Sequence, residues 1–153
     1  MEDEKYMLLA LDLAQKGSGF TSPNPMVGAV VVKDDRIIGK GYHTAAGQPH
    51  AEVNAIEDAG LDAREGTLYV TLEPCAHHGK TPPCTRAILD SGVRRVVVGS
   101  LDPDVRHRGR GLEMLSEAGV EVEYLHSASP LEQVAPHFLE WTGPERARRP
   151  RPW

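Results

Sequence analysis

Three times between Ala51 and Tyr124 the chain runs through the same order: an amphipathic stretch, a single glycine, then a short run of β-formers rich in valine. Residues 51–59 lead through Gly60 to 67–72, residues 84–91 through Gly92 to 94–99, and residues 109–118 through Gly119 to 120–124. Glycine is favoured just past a helix because it takes a left-handed backbone without steric cost. A helix that turns straight back into a strand implies a crossover between parallel strands, with helices packed on the sheet.

The N-terminal third reads differently. Residues 4–16 predict a helix with Met7, Ala10, Leu11 and Ala14 on one face, ended by Gly17 and Gly19. Pro23 and Pro25 stiffen the next loop. Residues 26–33 and 36–42 predict a hairpin around Asp34-Asp35, a weaker turn than Asp-Gly because neither residue is glycine. A last helix is expected within 131–140. Together these predict an α/β protein with three α/β/α layers and a five-stranded mixed sheet. One antiparallel hairpin is expected and the remaining pairs largely parallel.

A chain of 153 residues with 40% hydrophobic and 25% charged residues suits one domain that buries its own core. We assign residues 1–143 to it. Residues 144–153 carry Arg146, Arg148, Arg149 and Arg151 among three prolines. They read as a solvated tail or the stub of a linker. The net charge of -5 argues against a nucleic-acid partner, whose binding rests on phosphate neutralisation. No apolar run approaches the roughly 20 residues of a membrane span. The acidic start Met1–Lys5 lacks the order of a signal peptide, so a cytoplasmic location is expected.

The chemistry concentrates in four residues. His50 and Glu52 lie in Pro49-His50-Ala51-Glu52, and both cysteines of the chain, Cys75 and Cys84, follow in one proline-flanked stretch. One imidazole and two thiolates make three zinc ligands and leave a fourth position for water, as a hydrolytic site requires. His43, His77 or His78 can also supply a fourth ligand, so a closed structural site stays open as an alternative. Two residues apart on a helix point to nearly opposite sides, so His50 and Glu52 can serve one centre only at the first turn. Cys84 follows Pro82-Pro83, again at a helix start. Helix N-termini favour thiolates and anions. Glu52, not counted as a ligand, is the candidate general base, moving a proton from water to the leaving amine. A His-x-Glu followed by Pro-Cys and a second Cys is the signature of zinc deaminases, although eight residues rather than two separate these cysteines.

The stretches 21–29, 41–43, 50–52, 71–75 and 78–84 resemble the pyrimidine deaminase domain of riboflavin biosynthesis, over residues 4–124, and that family uses the longer inter-cysteine loop. The resemblance implies a cytidine deaminase-like fold, zinc on His50, Cys75 and Cys84, and proton transfer by Glu52. The implied substrate is 2,5-diamino-6-(ribosylamino)-pyrimidin-4-one 5′-phosphate, deaminated to a 5-amino-uracil product. The resemblance places Asn24, His43, His78, Lys80, Asp102 and Asp104 along the substrate. It also implies a homo-oligomer, dimer or tetramer, and a separate reductase in the pathway.

Two departures stand out. Relatives carry asparagine where this chain has Asp104, and a carboxylate facing a phosphate repels it unless Arg106, Arg108 or Arg110 offsets the charge. The sequence also ends where the bifunctional relatives begin a reductase domain, so it is either a stand-alone deaminase or one part of a longer chain. No dinucleotide-binding glycine pattern occurs, and no NADPH use is expected. Competing readings are a deaminase of another base or of tRNA adenosine, and a catalytically silent zinc-held binding module.

Overall fold

The computed structural model describes residues 2–16, 27–44, 48–75, 84–101 and 109–125. Helix α1 spans Glu2–Gln15 and is followed by strands β1 (Gly28–Lys33) and β2 (Arg36–Tyr42). Helix α2 (Ala51–Ala59) runs into a 3-10 turn at Gly60–Ala63 and then β3 (Thr67–Val70). Helix α3 (Cys84–Ser91), β4 (Arg95–Val98), α4 (Arg110–Glu117) and β5 (Glu121–Tyr124) complete the order. The helix expected in 131–140 and the tail 144–153 lie outside the described residues.

The five strands form one sheet in the order β2-β1-β3-β4-β5. Strands β3, β4 and β5 are parallel, as the glycine-punctuated crossovers require. One expectation needs correction: β1 pairs antiparallel with β3 as well as with β2, so the antiparallel part extends one pair beyond the hairpin. The hairpin joins the sheet through its first strand, and β1 runs against the direction of the strands that follow. Both central residues of its turn have positive φ, 53° at Asp34 and 61° at Asp35, the hand that matches strand twist.

Alternation along the strands sorts the side chains into two layers. Ala29, Val31, Leu68, Val70, Val96 and Val98 face one side, packed with Ala51 and Ala55 of α2, Ile88 of α3 and Leu115 of α4. Val30, Val32, Tyr69 and Val97 face the other, packed with Tyr6, Met7, Ala10 and Leu11 of α1. Burial of each Val, Leu or Ile contributes roughly 1.5–3 kcal/mol. Asp3 anchors the start of α1: it accepts from the Tyr69 hydroxyl at 2.7 Å and from Arg95 at 2.8 and 3.1 Å, and Arg95 also donates to Glu123 at 2.6 Å.

Strand β2 is an outer strand, and α2 lies against its backbone. A Cβ on Gly39 would meet Ala55 O at 2.3 Å, and one on Gly41 would meet Ala55 N at 2.4 Å. Real Cβ atoms do not approach that closely, so the two glycines set the depth at which α2 sits. Asp58 of α2 then accepts the Lys40 backbone N–H at 2.9 Å. No helix among the described residues is long and apolar enough to cross a membrane.

Candidate metal and active site

Three chain segments converge at the ends of β3 and of two helices. His50 is the N-cap of α2, with φ -74° and ψ 167°, so its backbone is still extended while its carbonyl already accepts from Asn54 N–H at 3.1 Å. Glu52 lies in the first turn of α2, and Cys84 is the first residue of α3. Cys75 follows β3 directly after Glu73-Pro74. This is the geometry that lets an i, i+2 pair serve one centre, because the first member is not yet helical.

The imidazole Nδ1 of His50 lies 2.8 Å from Cys84 Sγ and 3.8 Å from Cys75 Sγ. The three candidate ligand atoms all fall within 4.8 Å of one another. Around tetrahedral zinc, with Zn–N about 2.0–2.1 Å and Zn–S about 2.3 Å, ligand atoms lie about 3.5–3.8 Å apart. One imidazole nitrogen and two buried sulfurs fit a zinc ion by donor type, and opening the His50–Cys84 pair by less than about 1 Å brings them to the ligand spacing.

The surroundings favour thiolate at Cys75. The Cys84 backbone N–H donates to its sulfur at 3.2 Å, and Thr85 N–H donates to its carbonyl at 3.3 Å. The N-terminus of α3 is thus wrapped around residue 75. Hydrogen bonding from Cys84 holds the Cys75 thiol well below its ordinary pKa, while donation to Cys75, with burial, pushes Cys84 up. Burial raises Glu52, 3% exposed, to about 7.

Val27, His43, His50, Glu52, Leu72, Glu73 and Cys75 line a recess of about 20 Å³, which has room for one water molecule. His43, 2% exposed, donates from Nδ1 to the Pro49 carbonyl at 3.2 Å, and its ring meets that of His50 edge-on at 5.2 Å. Burial lowers its pKa, which keeps the ring neutral. Asn54 Nδ2 donates to the Tyr42 and Pro49 carbonyls at 2.9 and 3.3 Å, so the strand end and the residue before His50 are held together.

Of the residues singled out from sequence, the fold therefore brings together His50, Glu52, Cys75, Cys84 and His43. Asn24, His78, Lys80, Asp102 and Asp104 lie outside the described residues, as does His77. Two residues at the site escaped the sequence reading. Asn54 looks like any exposed helical polar residue, and Glu73 was noted only as part of the stretch before Cys75. The signal for Glu73 was a lone charge between an apolar strand and Pro74-Cys75.

A glutamate that is not itself a ligand beside a His/Cys/Cys cluster is the mark of zinc-binding deaminases. The profile of the cytidine and deoxycytidylate deaminase zinc-binding region matches residues 1–100, and the chain belongs to that family. Its likeness within the family is to the deaminase part of riboflavin-biosynthesis proteins. It is 46% identical over 123 residues to the diaminohydroxyphosphoribosylamino-pyrimidine deaminase of Buchnera aphidicola subsp. Schizaphis graminum, covering 80% of this chain and 84% of that one. It is 60% identical over 121 residues to the riboflavin biosynthesis protein RibD of Aquifex aeolicus, covering 79% of this chain but only 34% of the relative. The structure of Acinetobacter baumannii RibD superposes with a TM-score of 0.85 at 45% identity, over 94% of this chain and 40% of that one. The chain thus spans well under half the length of these two RibD relatives.

Proposed function

We propose that this protein hydrolytically deaminates 2,5-diamino-6-(ribosylamino)-pyrimidin-4-one 5′-phosphate at the 2-position, releasing ammonia and a 5-amino-uracil product. The observation that carries the reading is Glu52, a carboxyl buried in the same recess as His50 and Cys75, two members of the His50, Cys75 and Cys84 donor cluster. The 46% identity with a deaminase of matching length supports the substrate class.

In this reading His50 Nδ1, Cys75 Sγ and Cys84 Sγ hold the zinc. When bound there, zinc supplies Lewis-acid activation of water, lowering its pKa toward about 7. Glu52 takes one proton from the attacking water and delivers it to a ring nitrogen, then carries the remaining proton of the added hydroxyl to the amine, so that the carbon–nitrogen bond breaks, the carbonyl forms and ammonia leaves. A carboxyl lining the recess beside the donors is placed for both halves of that transfer. His43, neutral and held by Pro49, offers the substrate a fixed polar edge. Val27 and Leu72 keep bulk water from the recess. Asn24, His78, Lys80 and Asp102 complete the substrate contacts, and the chain assembles as a homo-oligomer, which sedimentation velocity checks.

The test is ammonia release from the phosphorylated pyrimidine, its dephosphorylated form, cytosine and guanine in parallel. Turnover of the riboflavin-pathway compound above the two bases supports the proposal, and turnover of cytosine or guanine alone refutes it. Asp104, in place of the relatives' asparagine, favours a second reading in which the 5′-phosphate is not required. A strong preference for the phosphorylated form ends that reading. Glu52→Gln should retain zinc and lose at least about 100-fold in turnover.

A further inference from the structure

Helix α2 opens on a residue that does not cap it. The N-cap position ordinarily uses its side chain to satisfy the first helical N–H groups. His50 makes no such bond, and its imidazole Nδ1 is turned instead to Cys84 Sγ at 2.8 Å. Asn54, one turn later, holds this start from the other side. Its backbone N–H donates to the His50 carbonyl at 3.1 Å. Its side-chain Nδ2 donates to the Pro49 carbonyl at 3.3 Å and to the Tyr42 carbonyl, at the end of β2, at 2.9 Å. An amide nitrogen carries two hydrogens, and here each has an acceptor. Asn54 therefore binds the peptide groups on both sides of the His50 Cα and ties them to the strand. A Cβ on Gly41 would lie 2.8 Å from Asn54 Cβ, so a missing side chain in β2 is what lets Asn54 come this close. The Pro49 carbonyl also takes the His43 Nδ1 proton at 3.2 Å. One carbonyl thus aligns two histidines of the recess, His43 through the bond it accepts and His50 through the chain.

We propose that Asn54 is a positioning residue for the zinc ligand His50: by fixing the peptides on both sides of residue 50 to the end of β2, it sets the imidazole in place before the metal arrives, and it keeps His43 beside it in one tautomer. The inference rests on the zinc site of the function proposed above. Without Asn54 the uncapped start of α2 populates several arrangements, and zinc has to select one. Apparent affinity then falls by the competent fraction. Groups that orient a metal-binding histidine are worth about 10–100-fold in metal affinity when they touch its ring. Asn54 acts through the backbone instead, which puts its effect at the lower end of that range. Because a carbonyl only accepts, the bond to Pro49 requires the proton of neutral His43 to sit on Nδ1. A Pro49 peptide that moves no longer enforces that choice.

The experiment compares the full chain with Asn54→Ala, Asn54→Leu and Asp58→Ala. Leucine keeps the volume of asparagine and removes both side-chain donors. Asp58→Ala cuts the other tie between α2 and β2, the bond from Lys40 N–H, near the far end of the helix. Competition with a chromogenic chelator should show the zinc dissociation constant raised about tenfold or more in both Asn54 variants and unchanged in Asp58→Ala. Nitrogen-15 shifts of the imidazole should place the His43 proton on Nδ1 in the wild type and show a mixture of tautomers in the Asn54 variants. A merely structural residue would lower the melting midpoint, as Asp58→Ala does, and move neither readout. The proposal is overturned by unchanged zinc affinity in the Asn54 variants, or by an equal loss in Asp58→Ala. It is also overturned by a wild-type His43 protonated at Nε2, a measurement that needs no variant to fold. A wild-type chain that binds zinc but releases no ammonia refutes the proposed reaction alone, and zinc affinity then decides on Asn54. A wild-type chain that binds no zinc refutes both.

Discussion

His50 and Cys84 stand 34 positions apart in the chain and meet with the imidazole Nδ1 2.8 Å from the sulfur. Cys75 joins them from the end of β3, so one ion would cross-link the starts of α2 and α3 to the sheet. A ligand present at about a thousand times its Kd stabilises the folded state by about 4 kcal/mol. Stripping zinc from the wild type should therefore lower the melting midpoint by roughly 8–16 °C. Cys84→Ser should carry well under one zinc per chain and show no further shift with chelator. Elemental analysis and paired thermal melts check both, and equal wild-type melts with and without chelator would count against the cluster.

Glu52 predicts a pH dependence of stability in zinc-stripped protein. Burial raises its pKa from 4.5 to about 7, so the native state holds the proton more tightly than the unfolded chain. The stabilisation that this provides is full below about pH 4.5 and is lost as pH rises through about 7. Relative to Glu52→Gln, the wild type should lose about 3 kcal/mol across that window, read from urea midpoints at successive pH values. Zinc places positive charge beside the carboxylate, so the difference should shrink in the loaded protein.

Two glycines in the α2 region should respond to alanine very differently. At Gly41 the new Cβ would lie 2.4 Å from Ala55 N and 2.6 Å from Ala51 O, both backbone atoms that cannot swing aside. Gly41→Ala should cost about 3 kcal/mol and, by shifting the start of α2, weaken zinc binding at His50. At Gly60 nothing lies within 4 Å, and only the φ of 65° opposes a side chain. Gly60→Ala should cost about 1–3 kcal/mol, all of it backbone strain, and leave zinc affinity unchanged. Denaturant titration and a competitive zinc chelator separate the two.

The hairpin turn offers a gain. Asp34 and Asp35 both hold positive φ, which a side chain opposes. Asp35→Gly produces the Asp-Gly pair that this turn favours and should raise stability by up to about 1 kcal/mol, or about 2–4 °C in melting midpoint. A lower midpoint would mean that the Asp35 side chain does more than turn the chain.

The parts legible in the sequence were those with a local cause. Helices Ala51–Ala59 and Cys84–Ser91 fall where periodicity and the following glycine place them, and the three parallel strands follow from the crossovers between them. The placement of His50, Glu52 and Cys84 at helix starts was readable because an i, i+2 pair and a double proline allow little else. What escaped depends on distant partners. Strand β3 ends at Val70, short of the expected 72, as Thr71 turns its hydroxyl to the Gly28 N–H at 3.1 Å. The antiparallel β1–β3 pair depends on which hairpin strand faces inward, and nothing local marks that. Glu73 acquires its partners only when β3 and α4 are side by side.

The bond from Lys40 N–H to Asp58 has a bearing on how copies of this protein meet. An outer strand ordinarily offers a row of open donors on which a foreign strand can be laid down, the first step of ordered aggregation. At Lys40 that position is already taken by a carboxylate from the chain's own helix, and Asp58 adds negative charge beside the rim. Growth of the sheet into a neighbouring molecule is thereby opposed at Lys40, where an incoming strand would meet a donor already engaged and a like charge for its own carbonyl.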